Sequence, residues 1–174
     1  AARDLALAAR GHERVLRARL ADAQFFYQGD LEITDDERVE KLKGVLFQAK
    51  LGTMYEKIER VAKITEYLAD LVAYKPVSDS KNMDIKTQVS RAARLSKADL
   101  VSQVVGEFPK LQGIMGRIYA AAAGEATEVA SAIEEHYRPV HSGAPLPDTT
   151  AGAILSIADK IDSICGCFSV GLVP

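Results

Sequence analysis

The chain has 174 residues, 48% of them hydrophobic, which is enough for one domain with a buried core but too few for two comfortable ones. Its formal net charge of −2 gives no overall basic character, so any contact with a nucleic acid must use a local basic patch. No run of 18 apolar residues occurs, so we expect no membrane-spanning segment and no membrane partner.

Hydrophobic residues recur at helical spacing through the first part of the chain. Residues 11–30 carry an apolar stripe that ends at a glycine, and this pattern predicts a first helix. A second helix is predicted to begin at Asp35 or Asp36, because either residue can serve as the N-cap. A long third helix is predicted to be capped by Thr53, since Glu56 three residues later completes a capping box.

The second part of the chain is also predicted to be helical. Residues 74–84 are polar and include a proline, so we predict a loop of variable length there. A long central helix is predicted to follow an N-cap at Asp84 and to stop before Pro109. Two shorter helices come next, and the last helix is predicted to begin at about Thr149. No segment shows clean alternation of apolar and polar residues, so no strand is predicted.

These elements predict an all-α fold of six or seven helices in a single domain that covers residues 1–174. The chain begins within a helical pattern and stops abruptly after "SVGLVP". Such ends are typical of a domain cut from a longer protein, and such a domain need not carry the whole protein's chemistry.

Two of the predicted helices carry charges beside apolar residues. On a helical wheel of the central helix, Lys97 lies in the middle of the apolar face and Asp99 lies on the other side. A charge on a buried face is costly unless it is paired or reaches the surface. In the last helix, Asp159 and Asp162 lie opposite an apolar stripe, which favours a solvated face. A metal site, structural ion pairs and the remnant of an older site remain open for these acids.

The chain has few residues typical of metal or catalytic sites. Its histidines, His12, His136 and His141, are predicted at helix ends and in a loop, away from Asp99 and Asp159. No metalloprotease, phosphate-loop or serine-hydrolase motif is present. We therefore predict no catalytic residue, no metal site and no cofactor within this segment.

The only cysteines are Cys165 and Cys167. Residues two apart on a helix point in different directions, so a disulfide between them is not easily closed. With no other cysteine and no nearby histidine, they are also a poor zinc site. We predict two buried small side chains in a protein from a reducing compartment.

Basic residues gather in several places and could contact nucleic-acid phosphates. Ordinary solvated helix faces are the alternative explanation. The candidates for RNA contact are Arg14, Arg17, Arg91, Arg94, Lys110, Arg117 and Arg138.

Several stretches together resemble one known family. They include "GHERVLRARLADAQFFYQGDL", "VEKLKGVLFQAKLGTMYEKIERV", "RAARLSKADLVSQVVGEFPKLQGIMGRIYA" and "EEHYRP", followed by "ADKID" and "GLVP". In this order they resemble the β-subunit portion of bacterial-type glycyl-tRNA synthetase, from residue 11 to the last residue, with residues 74–84 matching poorly.

The resemblance implies a helical domain of the HD type. Hydrolases of that superfamily bind a metal through a histidine on one helix, a His-Asp pair on a central helix and a distant aspartate. Here the corresponding positions hold Lys57, the pair Ala98 and Asp99, and Asp159. The resemblance therefore implies a degenerate metal site without its histidines, in which Asp99 has become a structural acid paired with Lys57, Lys97 or Lys160.

The same resemblance implies a function for the parent enzyme, which attaches glycine to its tRNA with ATP and Mg²⁺. The segment would be an accessory domain that binds the glycine tRNA and supports other domains or subunits, in the bacterial cytoplasm or a plastid or other organelle stroma. Two alternatives are kept: a residual metal-dependent phosphohydrolase, motivated by Asp99 and Asp159, and a purely structural module between domains.

Overall fold

The computed structural model describes residues 5–73 and 85–172. The segment 74–84, predicted to be a variable loop, lies outside the described residues. Within the described ranges the fold is all-α, as predicted, but it has eight α-helices rather than six or seven. They are α1 (Leu5–Leu31), α2 (Asp35–Lys41), α3 (Met54–Ala73), α4 (Ile85–Leu95), α5 (Gln103–Glu107), α6 (Ile114–Ala122), α7 (Thr127–Glu135) and α8 (Thr150–Ser169). No helix in this part of the chain is both long and apolar enough to cross a membrane.

A short antiparallel hairpin, which the sequence did not predict, joins α2 to α3. It pairs β1 (Leu46–Gln48) with β2 (Gly52–Thr53). The Gln48 side-chain oxygen accepts the backbone N–H of Lys50 at 2.6 Å, and Gly52 takes a φ of +86°, so the turn is closed locally. Strands of three and two residues are too short to show alternation, which is why the pattern did not reveal them.

The helix starts follow from local hydrogen bonds. Glu56 accepts the backbone N–H of Thr53 at 2.6 Å and Thr53 Oγ1 accepts that of Glu56 at 3.2 Å, so the predicted capping box of α3 is confirmed. Thr149 caps α8 through the backbone N–H of Gly152, also as predicted. The cap of α2 is Thr34 rather than Asp35 or Asp36, because Glu37 at its third position completes a second capping box.

The main hydrophobic core lies where α4 packs against α3, α7 and α8. Burying each large aliphatic side chain there contributes about 1.5–3 kcal/mol. A smaller cluster around Val104, Val105, Met115 and Tyr119 joins α5 to α6 and receives the end of α1. Most of α1 lies outside both clusters: Leu16 and Leu20, part of its predicted apolar stripe, are more than half exposed.

The predicted continuous helix up to Pro109 is interrupted, and the prediction was wrong on this point. The helix α4 ends at Leu95, Lys97 has a φ of −120°, and a 3-10 turn (Ala98–Val101) precedes α5. The Ser102 hydroxyl then caps α5 by accepting the Val105 N–H at 3.2 Å. The break carries a charged residue into the centre of the molecule at Lys97.

Candidate functional site

Five ionisable side chains meet in the interior beside the break after α4. We call them the buried charge cluster, and they come from four elements: Lys57 of α3, Lys97 of the break, His136 at the end of α7, and Asp159 and Asp162 of α8. All are buried except Asp159, which is partly buried. A cluster of this kind is stable only if each charge finds partners inside the protein.

The ammonium of Lys97 is held from three sides. Its Nζ lies 2.7 Å from His136 Nε2 and 3.2 Å from Asp159 Oδ2, and it sits 4.1 Å from the centre of the Tyr137 ring. His136 Nδ1 lies 2.6 Å from the Ile133 carbonyl oxygen, which can only accept a hydrogen bond. Nδ1 therefore carries the proton, and Nε2 accepts from Lys97.

Burial and neighbouring charges set the protonation states. Burial lowers the pKa of Lys97 to about 8, against the opposing effect of the Asp159 carboxylate. Burial, reinforced by Lys97, holds the pKa of His136 well below its usual value, so the imidazole is neutral. Burial alone would raise the pKa of Asp159, but Lys97 and Lys57 outweigh it and the pKa is lowered. Asp159 is therefore an anion between two lysines.

Lys57 joins α3 to α8. Its Nζ donates to Asp162 Oδ2 at 3.1 Å and to Ser163 Oγ at 2.8 Å. It also lies 3.2 Å from Asp159 Oδ1, an ion-pair distance without the alignment of a hydrogen bond. Arg60 completes the arrangement by donating from Nε to Asp162 Oδ1 at 2.6 Å. The two helices are thus crosslinked by polar contacts in addition to their apolar packing.

The predicted orientation of α8 was wrong. Asp162 is buried and Asp159 partly buried, although both were assigned to a solvated face. The cause is that Lys57, Arg60 and Lys97 neutralise the two carboxylates, which allows the polar side of the helix to face inward. Most of the predicted core stripe points outward instead, namely Ile157, Ile161, Ile164, Cys165 and Phe168.

The predictions for the histidines and cysteines also need correction. His136 was placed away from both acids, yet it is fully buried and is separated from Asp159 only by the Lys97 ammonium. Cys165 and Cys167 were predicted to be buried, but Cys165 is exposed and Cys167 is half-buried, because this part of α8 faces outward.

Asp99 makes a separate set of contacts at the start of α6. Its Oδ2 accepts the backbone N–H groups of Gly113 at 2.6 Å and Gly116 at 3.1 Å. Burial nevertheless raises the pKa of this carboxyl group. The prediction of a lysine as its hydrogen-bond partner was wrong, although the charge of Lys97 does act on it. Backbone amides of a neighbouring helix thus satisfy Oδ2, whereas the buried Oδ1 has no hydrogen-bond partner among the described residues.

Of the four positions that the resemblance marks as a degenerate site, the structure brings two into contact. Lys57 and Asp159 both belong to the buried charge cluster. Ala98 is packed in the main apolar core, and Asp99 hydrogen-bonds elsewhere, at the start of α6. Through residues 5–73 and 85–172, no group of three or more His, Cys, Asp or Glu side chains is arranged to hold a metal. Two ammonium groups beside Asp159 would repel a divalent cation, so these residues do not fit one.

The candidate RNA-binding residues lie in separate places and most are paired with acids. Arg91 and Arg94 both approach Asp36 at 3.4 Å, and Arg91 also binds Glu125 at 2.7 Å. Each of these pairs is at least partly exposed, so a phosphate can reach the guanidinium group. The local charge around them is close to balanced, which predicts weak rather than tight anion binding.

A second group of candidates surrounds Glu134. Arg117 lies 2.5 Å from this carboxylate and Arg138 lies 3.3 Å from it, and Arg138 also pairs with Asp148 at 2.8 Å. The remaining candidates stand apart: Arg14 and Arg17 on the exposed part of α1, with Arg17 paired to Glu13, and Lys110 in the turn before α6.

Comparison with protein families establishes the family to which the chain belongs. The family model described as glycyl-tRNA synthetase beta subunit matches residues 1–174. The chain belongs to this family. The glycine–tRNA ligase beta subunit of Desulforapulum autotrophicum is 60% identical over 173 residues, covering 99% of this chain and 24% of that protein. The beta subunit of Geobacter sulfurreducens is 54% identical over 171 residues, with 98% and 24% coverage. This segment of a glycyl-tRNA synthetase β-subunit family member thus spans about a quarter of the length of its curated relatives.

The family resemblance seen in the sequence is confirmed. The sequence patterns of this β-subunit segment nevertheless did not indicate several residues that form or contact the buried charge cluster. His136, Asp162 and Arg60 were not assigned to any common site. One signal was available: His136 follows the helix that ends at Glu135, and aspartates recur three residues apart at 159 and 162. That signal does not indicate which face of α8 is buried, because the basic partners of its two aspartates come from α3 and from the break after α4.

Proposed function

We propose that this segment is an accessory tRNA-binding and scaffolding domain of a glycyl-tRNA synthetase, whose full enzyme uses ATP and Mg²⁺ to attach glycine to its tRNA. The observation that carries the proposal is the match of the family model across residues 1–174. The proposed partners are the tRNA for glycine and the other parts of the synthetase, including the subunit that the designation "beta" implies.

The scaffolding part of the proposal is supported by the buried charge cluster. Lys57 and Lys97 fill the space beside Asp159 with ammonium groups. We interpret this arrangement as an HD-type site that has lost its metal ion. The two lysine ammonium groups take its place and hold the helices together. A metal-dependent phosphohydrolase is disfavoured by the same residues, and stoichiometric tightly bound metal in the purified protein would revive it.

The tRNA-binding part of the proposal is supported by the exposed arginine groups. Arg91 and Arg94 share one acid, and Arg117 and Arg138 share another. An incoming phosphate can take over a guanidinium group from a carboxylate, because both ligands accept the same pair of hydrogen bonds. Since each exchange sacrifices an exposed ion pair, we expect modest affinity that depends strongly on salt.

Charge reversal in the full enzyme tests this contact. The double variants Arg91→Glu/Arg94→Glu and Lys110→Glu/Arg117→Glu should each lower tRNA affinity by about tenfold and reduce its salt dependence by about two counterions. Activation of glycine, measured as exchange of pyrophosphate into ATP, should stay unchanged.

The matched control is Lys43→Glu/Lys86→Glu, which reverses two exposed, acid-paired lysines outside the candidate set. It should leave tRNA affinity close to that of the wild type. Normal tRNA charging and affinity in both test variants would refute the assignment of these residues.

A further inference from the structure

We propose that the outward face of α8, together with the groove between α3 and α8, docks an acidic amphipathic helix from the remaining part of the β subunit. This inference rests on the proposed role of the segment within a synthetase. It names a contact inside the β subunit, whereas the tRNA contacts proposed above lie on other surfaces.

The first observation is a row of large apolar side chains on α8. Ile157, Ile161, Ile164 and Phe168 follow one another at intervals of four, three and four residues, so they form one narrow stripe along the helix. Each is between 41% and 56% exposed. Single exposed apolar residues are ordinary, but a continuous row on one helix is the pattern of a helix-binding surface.

The second observation is a groove beside this row. It has a volume of about 620 Å³ and runs between α3 and α8. The apolar side chains among its lining residues, which we call its floor, are Leu51, Ile64, Ile161 and Cys165. The close approach of Leu51 to Gly166, 3.0 Å from where a Cβ would lie, brings the hairpin against α8 and shapes this floor.

The rim of the groove is basic. Lys50 and Lys63 line it together with Arg60. Asp162 is the acidic residue that lines it, and this carboxylate is already held by Lys57 and Arg60. The rim therefore carries positive charge around an apolar floor, and the complementary surface has apolar side chains bordered by Asp or Glu.

The length of the curated relatives indicates where the helix that occupies the groove comes from. This segment covers 24% of the first two curated relatives, so three-quarters of such a subunit lies outside it. A helix from that remainder is tethered to the groove and needs little intrinsic affinity to occupy it, because its effective concentration is high. A tRNA backbone would match the basic rim, but the apolar row offers no hydrogen-bond donor to phosphate or sugar.

Cys165 provides a natural probe, because it lies in the groove and is exposed in this segment. In the full β subunit without tRNA, alkylation of Cys165 by a maleimide, followed by peptide mass spectrometry, should be at least about tenfold slower than alkylation of glutathione at the same pH. A rate similar to that of glutathione would overturn the proposal. This measurement needs no substitution.

Two sets of variants then locate the contact. Ile164→Glu/Phe168→Glu places acids in the row and should speed alkylation of Cys165 by about tenfold, since it both removes apolar contact and repels an acidic partner. Lys50→Glu/Lys63→Glu should also speed alkylation. The matched control, Leu146→Glu, changes an exposed leucine before α8 and should have no effect.

Other occupants give different results. Protection that develops only when tRNA is added would assign the face to RNA, and protection that rises with protein concentration would assign it to a second copy of the subunit. Either outcome overturns the proposal. If the proposed tRNA contacts are wrong, the variants Arg91→Glu/Arg94→Glu and Lys110→Glu/Arg117→Glu will charge tRNA normally. That result would leave the protection of Cys165 unchanged, so the two proposals fail separately.

Discussion

At the scale of single residues, Lys97 carries a buried ammonium group that is stabilised by the groups around it. Its ammonium is desolvated, but it gains a carboxylate, a neutral imidazole and the face of a tyrosine ring. The lowered pKa of about 8 shows that these partners offset only part of the desolvation cost. The sequence indicated that a charge lay in the apolar face of this region, but the partners come from α7 and α8.

The stability of the chain should depend on the protonation of Lys97. Its folded pKa of about 8 lies below the ordinary value of 10.5, so between these values the unfolded chain binds more protons. Stability from this group is therefore lowest below about pH 8 and increases as the pH rises towards about 10.5.

Lys97→Met removes this effect and serves as the reference. The difference in free energy of unfolding between the wild type and Lys97→Met should shift in favour of the wild type by at most about 3 kcal/mol between pH 7.5 and 10.5. Urea unfolding at a series of pH values measures it. Parallel pH curves for the two proteins would contradict the prediction.

At the scale of elements, Asp30 links three helices. This buried residue of α1 accepts the backbone N–H groups of Gln103 at 2.8 Å and Val104 at 3.0 Å, at the start of α5. It also accepts the Tyr119 hydroxyl of α6 at 2.7 Å. Burial and this bond to Asp30 raise the pKa of Tyr119, so the hydroxyl remains a donor. One carboxylate therefore positions α1, α5 and α6 together.

Asp30→Ala should cost about 3–5 kcal/mol in free energy of unfolding. It leaves two buried donors, the Val104 amide and the Tyr119 hydroxyl, and one partly buried donor, the Gln103 amide, without their acceptor. The exposed N-cap change Thr34→Ala should cost only about 1 kcal/mol. Urea unfolding gives both values. Hydrogen exchange should also become faster at the Gln103 and Val104 amides in Asp30→Ala, and equal losses in the two variants would argue against this role for Asp30.

The start of α6 requires a glycine for two reasons. Gly113 has a φ of +83°, and a Cβ there would lie 2.6 Å from the Tyr137 ring. Gly143 has a similar φ of +80°, but no atom lies within 4 Å of its Cβ position. Gly113→Ala should therefore destabilise the chain by at least about 2 kcal/mol more than Gly143→Ala. Gly143→Ala introduces backbone strain alone, whereas Gly113→Ala adds a steric overlap with Tyr137. Thermal unfolding of both variants compares the two effects, and similar melting temperatures would contradict the prediction.

The helix ends could be predicted from the sequence where the signal was local. Thr53 and Glu56 are three residues apart and satisfy each other, and Thr149 caps α8 within its own first turn. The inward face of α8 could not be predicted, because periodicity does not count the cations that α3 and the break supply to Asp159 and Asp162. The break itself is fixed by contacts remote in sequence, such as Asp99 with Gly113 and Asp30 with Val104.

At the scale of the whole molecule, stability is unevenly distributed. The core helices share buried apolar contacts and the buried charge cluster, whereas residues 11–22 of α1 are exposed throughout. A helix of this kind is held mainly by its own backbone hydrogen bonds, so it opens more readily than the core.

Limited proteolysis should follow this division. Among the sites in α1 and α2, trypsin should cut after Arg14 and Arg17 well before it cuts after Arg38, which is buried beside Asp35. A time course analysed by mass spectrometry measures the order. Early cleavage after Arg38 would show that α2 opens as readily as α1.

The attachment of α1 has a mechanical consequence. The helix has 27 residues and is therefore about 40 Å long. Its contacts with α5 extend from Asp30 back to Arg19, which pairs with Glu107 at 2.6 Å and lies over the Phe108 ring. While α1 stays helical, the half before Arg19 acts as a lever whose pivot is the Arg19 contact. A tilt of about 10° there would carry the other end through about 4 Å, as follows from the length of that half. A small adjustment of α5 would thus be amplified along the first half of α1.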